Sequence, residues 1–310
     1  MREPEVWPLE RLVAEDIGPA VVWATPSVRA RTMTALSHPH RAPLTPVPPA
    51  TRTLVVIGGG ALMDAAKMFR AESRPGMKLV AVPSIWGSGA EVSPVAIAQD
   101  GARKVIRCGE QYLPDVRVHW PELAASAPAR LIRHACGDTW SHALEAFLSP
   151  LAGDELRAET ARLIERLLEL PLGPDARWFE ASADACRLQA RSSVGLVHGI
   201  AHTLEGPLRA EQPDFGWGHA ALCSTFLWPV MSLNLRLSDG AAHRFEAAGL
   251  DPDRALAPAR ALFEQEAYDR AAPLVAARWN EILRDPCTRT NGALVRPGAL
   301  EHFQRGAFAP

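Results

Sequence analysis

The chain has 310 residues, 47% hydrophobic and 22% charged, with a formal net charge of −2. This is the composition of an ordinary globular protein with room for two domains. The near-neutral charge gives no electrostatic reason to expect nucleic acid or an anionic membrane as a partner. Five cysteines (Cys108, Cys136, Cys186, Cys223, Cys287), odd in number and never closely paired, exclude a disulfide framework and a Cys-type zinc site. Reduced, buried thiols are the expectation. The opening MREPEVWPLERLVAEDIG mixes acids and prolines and lacks a basic-then-apolar signal. No apolar run approaches the roughly 20 residues of a membrane helix. The expected location is cytoplasmic.

In chain order, Ala20–Thr25 is a compact apolar run with two valines, and SVRARTMTAL follows with helical spacing. The next stretch, PHRAPLTPVPPATRT, is too proline-rich for a helix interior or a long central strand. Thr53–Ile57 reads as a strand ending in three glycines, Asp64–Glu72 as a helix, and Leu79–Pro83 as another strand. Strand alternating with helix predicts a parallel α/β sheet. After Trp120 the texture changes. Leu123–Leu148, Asp154–Leu168, Phe179–Ala190 and Arg254–Arg284 all show helical periodicity, and a short helix closes the chain. The fold class is therefore α/β plus all-α, with an N-terminal domain over 1–124 and a helical one over 125–310.

Two segments of the first domain suit a nucleotide. VIGGGALMDAAK (56–67) runs from strand through a glycine turn into a helix, where unpaired N–H groups and positive potential favour a pyrophosphate. It is not the G-x-G-x-x-G fingerprint, and a tight structural turn is its plainer meaning. PSIWGSGAE (83–91) follows the next strand with serines and glycines that suit phosphate or ribose, although such loops are commonly just flexible.

The helical half carries a different chemistry. Asp138 and His142 stand at i,i+4 in GDTWSHALEAF, as do His198 and His202 in GLVHGIAHTLEG, and His219 follows in GWGHAALCSTF. On a helix such pairs point at one spot. A lone histidine in an apolar helix is more often a core residue. One carboxylate with several imidazoles, however, is the donor chemistry of a divalent transition metal such as Fe(II) or Zn(II). A metal and a dinucleotide on one chain suggest redox chemistry at a carbonyl.

The order Gly58-Gly59-Gly60, Asp64, Lys67, then Pro83, Gly87-Ser88-Gly89, Glu91, then LPDVRVHWPELAASAPARL, then Asp138, His142, Glu145, then VHGIAH resembles the iron-containing (group III) alcohol dehydrogenases. The resemblance implies a Rossmann-like nucleotide domain and a helical metal domain of the dehydroquinate synthase-like fold, with substrate in the cleft between them. It implies Asp138, His142, His198 and His219 as metal ligands and His202 as a proton relay beside the nicotinamide. Gly58, Gly59, Gly60 and Asp64 would hold the pyrophosphate and nicotinamide side, and Ser84, Ile85 and Ser88 would contact the cofactor. Lys104 matches a lysine that the family often places near the cleft. The chain departs from the pattern at Ser84-Ile85, Trp86, Ser88-Gly89-Ala90 and Ala220, where the family usually has Thr-Thr, a smaller residue, Thr-Gly-Ser and glycine.

The implied cofactors are Fe(II), or Zn(II), Mn(II) or Co(II) in its place, with NADPH or NADH. SHPHRAPL (37–44) has no acid to bind a ribose 2′-hydroxyl and offers Arg41, which leans towards NADPH. The expected activity is an alcohol dehydrogenase running as an aldehyde or ketone reductase on a small-molecule substrate. Faint likeness of PSVRAR and GHAALCSTFLWPV to a phosphonate-metabolism branch suggests phosphonoacetaldehyde, with Lys104, Arg191 or Arg209 as an anion clamp. The alternatives are a dehydroquinate synthase-like lyase or cyclase and a non-catalytic nucleotide-binding homologue. Family members commonly form dimers or larger assemblies, so a homodimer is an expectation of the resemblance alone.

Overall fold

The structure is a computed structural model that describes residues 2–14, 17–100, 103–306 and 308. The chain divides into two compact units, Met1–Ala127 and Pro128–Pro310.

The first unit runs β1 (Glu5–Trp7), α1 (Leu9–Val13), β2 (Ala20–Ala24), α2 (Pro26–Ala35), β3 (His40–Arg41), β4 (Thr53–Gly58), α3 (Gly60–Ser73), β5 (Lys78–Pro83), β6 (Val95–Asp100), β7 (Arg103–Cys108), β8 (Val116–Val118) and α4 (Pro121–Ala124). Six strands form a wholly parallel sheet in the order β1-β8-β5-β4-β2-β3. Successive residues of a strand face opposite sides, and the two cores follow that rule. Val22, Ala24, Val55, Ile57, Val80 and Val82 pack on one face with Leu12, Val28 and Leu123. Val21, Trp23, Leu54, Val56, Leu79 and Ala81 pack on the other with Met63 and Ala66 of α3. Burial on both faces explains why these strands read as continuous apolar runs.

Five short strands escape the periodicity. β1 and β8 have three residues each, too few to show alternation. β6 and β7 form an antiparallel hairpin paired from Val95↔Cys108 to Asp100↔Arg103. The proline-rich stretch supplies only the two-residue edge strand β3.

The second unit is helical: α5 (Ala129–Leu148), α6 (Asp154–Leu168), α7 (Arg177–Ser192), α8 (Leu196–Glu211), α9 (His219–Leu237), α10 (Asp239–Ala247), α11 (Pro252–Leu262), α12 (Gln265–Ala277), α13 (Trp279–Arg284) and α14 (Leu300–Arg305), with a 3-10 turn at Pro286–Thr290. The periodic stretch 123–148 is interrupted because Pro128 disfavours a helical Ala127, so α5 starts afresh after it. Likewise 254–284 is three helices, broken at extended Phe263 and at Arg278. α5 is buried on all sides from His134 to Leu148, and α9 from Ala221 to Asn234. Helices buried all round belong at the centre of a bundle, and α5 packs against α9, α7 and α6. Among the described residues no helix is long and apolar enough to cross a membrane.

Candidate functional site

In the first unit β4 and β5 end side by side, Gly58 opposite Pro83, and the Ser84 N–H donates to the Gly58 carbonyl at 3.0 Å. α3 starts at Gly60 behind Gly59, with no side chain capping its first turn. The Leu62 and Met63 N–H groups turn back to the Gly59 carbonyl at 3.1 and 3.2 Å, so an anion at this helix start would meet the N–H groups of Gly60 and Ala61 and the helix dipole. A Cβ on Gly59 would meet nothing within 4 Å, whereas one on Gly60 would lie 2.9 Å from Ser88 Oγ. Gly59 thus borders open space, while Gly60 seals the glycine turn against the serine loop. The chain leaves β2 for β3 on one side of the sheet and continues from β4 to β5 on the other. Open α/β sheets bind ligands at such a switch point, outside the carboxyl ends of the strands. Thr25, at the end of β2, lines the same point and was missed by sequence reasoning: a Cβ on Gly58 would lie 2.7 Å from its Cγ2.

Gly58, Gly59, Gly60 and Ser88 therefore share one rim, with Ser84 and Ile85 half-buried beside it and Trp86 buried behind. Asp64 is engaged elsewhere. One carboxylate oxygen accepts from Lys67 Nζ at 3.0 Å and the other from the Ile97 N–H at 3.1 Å, bracing the β6–β7 hairpin against α3. Burial raises the pKa of Asp64, and Lys67 works against that rise. Expected beside a cofactor, Asp64 thus has both oxygens committed to the protein.

In the second unit α5 and α9 approach backbone to backbone. A Cβ on Gly137 would lie 2.7 Å from Ser224 Cα. That contact sets their neighbours, Asp138 and Cys223, against each other. Asp138 is 1% exposed, its Oδ1 is 4.0 Å from Nε2 of both His198 and His219, and Oδ1 accepts no hydrogen bond among the described residues. Asp138, His198, His219 and Cys223 each offer a donor atom, and these atoms all lie within 4.8 Å of one another. Burial raises the pKa of Asp138 and of the Cys223 thiol. A buried carboxylate facing two imidazoles is costly unless a cation joins it, so the donor set fits a divalent transition metal.

His142 is placed differently from expectation. It is buried and its ring stacks on that of His198 at 4.7 Å, but its donor atoms are outside the group of four. Three of the four implied ligands converge, and the fourth donor of the cluster is Cys223. His198 is held from behind by Glu145, whose Oε2 lies 2.6 Å from Nδ1 and whose Oε1 accepts the Val197 N–H at 2.7 Å. Burial pushes the Glu145 carboxyl up to about 8. Tying one ring nitrogen to a carboxyl group fixes ring orientation and presents the other nitrogen.

His202, one turn further along α8, stacks on His219 with ring centroids 5.5 Å apart. Its Nδ1 lies 3.5 Å from Asp285 Oδ2 and 3.8 Å from Cys287 Sγ. Burial pushes Asp285 up, but the hydrogen bond and charge of His202 outweigh it and leave that carboxyl below its ordinary range. Sequence reasoning missed Asp285 and Cys287. The only local signal was Asp285-Pro286, a turn start in which Asp285 Oδ1 accepts the Cys287 N–H at 2.8 Å.

Of the suggested anion clamps, Arg191 is paired with Glu159 at 2.7 Å. Arg209 donates to the Trp217 carbonyl at 2.9 Å and lies 3.4 Å from Glu205, beside Gly218 and hence next to His219. Lys104 belongs to β7, but its side chain lies outside the described residues.

Residues 50–120 match the model of the iron-containing alcohol dehydrogenase family. The chain is 29% identical over 191 residues to the 1-propanol dehydrogenase PduQ of Salmonella typhimurium, covering 57% of this chain and 51% of that protein. It is 28% identical over 249 residues to the NAD-dependent methanol dehydrogenase of Bacillus methanolicus, covering 70% and 63%. The chain thus spans between half and two-thirds of these relatives. The iron-containing alcohol dehydrogenase of Thermococcus thioreducens superposes with a TM-score of 0.77 at 18% identity over 98% of both chains, which is a likeness of fold.

Proposed function

We propose that this chain, a member of the iron-containing alcohol dehydrogenase family, is a metal-dependent NAD(P)H-linked alcohol dehydrogenase working as a reductase of small aldehydes. The observation that carries the reading is the convergence of buried Asp138 with His198 and His219 around an unsatisfied carboxylate oxygen. Asp138, His198 and His219 would hold the metal, with His142 and Cys223 the neighbouring side chains able to complete the set. A bound divalent ion, Fe(II) or Zn(II), Mn(II) or Co(II), supplies Lewis acidity towards a substrate oxygen, and a bound nicotinamide supplies the hydride.

The chain's own residues do the rest. The N–H groups at the start of α3, the open edge at Gly59 and the Ser88 hydroxyl bind the pyrophosphate. Glu145 orients His198. Asp285, at Nδ1 of His202, holds that ring so that Nε2 can give a proton to the product alkoxide and recover it from solvent. Arg41 supports NADPH over NADH: it is exposed on β3 opposite Trp23, in a stretch (37–44) whose sequence has no acid to bind a ribose 2′-hydroxyl. Arg209, next to the His219 turn, supports an anionic aldehyde such as phosphonoacetaldehyde.

The test is nicotinamide oxidation by anaerobically prepared, Fe(II)-loaded protein, with NADPH and NADH against paired neutral and phosphonylated small aldehydes. Metal-dependent steady oxidation, faster with NADPH and with the phosphonylated aldehyde, is the expected outcome. Bound metal and nucleotide without net oxidation would instead favour a lyase or cyclase.

A further inference from the structure

Of the three implied ligands that converge, Asp138 lies in the middle of α5, and His198 in the first turn of α8 is braced by Glu145. His219 is the first residue of α9. No preceding helical turn holds its backbone, because Gly218 before it is extended, with φ −162°. The direction in which His219 departs is therefore set by the segment that joins α8 to α9.

That segment is tightly tied. A 3-10 turn covers Pro213–Phe215, and Gly216 reverses the chain at φ +78°, in the left-handed region that glycine adopts without strain. Trp217 then points inward and is 4% exposed. Its indole N–H donates to Gln212 Oε1 at 3.2 Å, and its carbonyl accepts from Arg209 Nε of α8 at 2.9 Å. Gln212 donates in turn to the Arg270 carbonyl of α12 at 3.3 Å. Phe215 packs on Trp217 with ring centroids 4.5 Å apart, and it lies within 4.3 Å of the Arg130 guanidinium and 4.8 Å of that of Arg270. Arg130 of α5 also donates to the Phe215 carbonyl at 3.2 Å. The turn before His219 is thus fastened to α5 and α8, the two helices that carry Asp138 and His198, and Trp217 is its buried centre.

We infer that Trp217 is a positioning residue for His219, acting through the Gly218 backbone and not by touching the metal. The inference rests on the metal centre proposed above and names what holds one of its ligands in place. With the indole present, His219 Nε2 stays 4.0 Å from Asp138 Oδ1 before any ion arrives. Holding a ligand in its bound orientation beforehand removes an ordering cost from binding. Without the indole the turn gains freedom, and the metal must reorder both the turn and the imidazole.

The experiment is a double-mutant cycle read by Co(II) titration of the full, metal-stripped chain under argon, following the ligand-field bands. Trp217→Ala should weaken Co(II) binding by about 10–100-fold, the usual worth of a group that orients a ligating histidine. His219→Ala should weaken it further. The double variant should bind no more weakly than His219→Ala alone, because the turn then has no ligand to position. Trp217→Ala with unaltered affinity overturns the inference and leaves the metal centre standing. So do losses that add in the double variant, since Trp217 would then serve only the general stability of the unit. An unmutated chain that binds no cobalt, or a His219→Ala chain that binds it unchanged, overturns the metal centre and the inference together. Should Trp217→Ala fail to fold, Trp217→Phe, which keeps a ring but loses the bond to Gln212, replaces it in the same cycle. Its expected loss is several-fold, it too should disappear in the His219→Ala background, and a loss that persists there sinks the inference.

Discussion

Glu145 on α5 and His198 on α8 meet at 2.6 Å inside the helical unit, both almost wholly buried. The carboxyl group anchors Nδ1 and leaves Nε2 facing Asp138 Oδ1 at 4.0 Å. Glu145→Gln keeps the shape but weakens the anchor, and groups placed behind a ligating histidine typically contribute about 10–100-fold in metal affinity. A competition titration against a chelator should show a loss of that size with an unchanged circular dichroism spectrum. Unaltered affinity would mean that Glu145 only fills the core.

Asp285 stands in the same relation to His202, but on the proton-relay side of the cluster. His202→Ala should cost about 10²–10⁴ in kcat, the usual worth of a positioned acid or base. Asp285→Asn should lower kcat by less and leave metal content at the level of the unmutated chain. If Asp285→Asn lost its metal instead, Asp285 would belong to the metal centre and not to the relay.

Two adjacent glycines should behave oppositely. At Gly59 the backbone φ is −82° and a Cβ would meet nothing, so Gly59→Ala should preserve thermal stability while raising the KM for the nicotinamide cofactor. At Gly58 a Cβ would crowd Thr25 and Leu62, so Gly58→Ala should cost about 1–3 kcal/mol in urea unfolding. A Gly59→Ala enzyme with unchanged cofactor KM would remove the glycine turn from the cofactor site.

The helix that carries Asp138 also carries a pH liability. Burial pushes the His134 imidazole down to about 4 from its ordinary 6.5. Between these values the unfolded chain takes up a proton that the folded chain refuses, so stability falls as pH drops from 6.5 towards 4. The full penalty is on the order of 3 kcal/mol at pH 4 and below, and it is absent above pH 7. Urea unfolding at pH 7.5 and pH 5 should show a larger decline for the unmutated chain than for His134→Gln. Equal declines would show that His134 charges freely in the folded state.

Much of this protein is decided locally. β2, β4 and β5 are short apolar runs because both faces of their sheet are covered, and that burial is visible residue by residue. The glycine turn after β4 is equally local, since only the backbone's freedom and the following helix define it. The i,i+4 pairs on α5 and α8 follow from helical periodicity, so the concentration of histidine and aspartate was readable before any packing was known.

What only the tertiary structure decided are the partners drawn from elsewhere in the chain. Asp64, read from the sequence as a cofactor contact, has one oxygen accepting from Lys67 on its own helix and the other from the Ile97 N–H of β6, a partner 33 residues away. Asp285 and Cys287 reach His202 from more than 80 residues away, and no spacing rule links them. Cys223 joins the donors because Gly137 and Ser224 let two buried helices touch backbone to backbone, while His142 packs against His198 outside them. Periodicity determines which face of a helix a residue occupies; what stands opposite that face is set by how closely two backbones can approach.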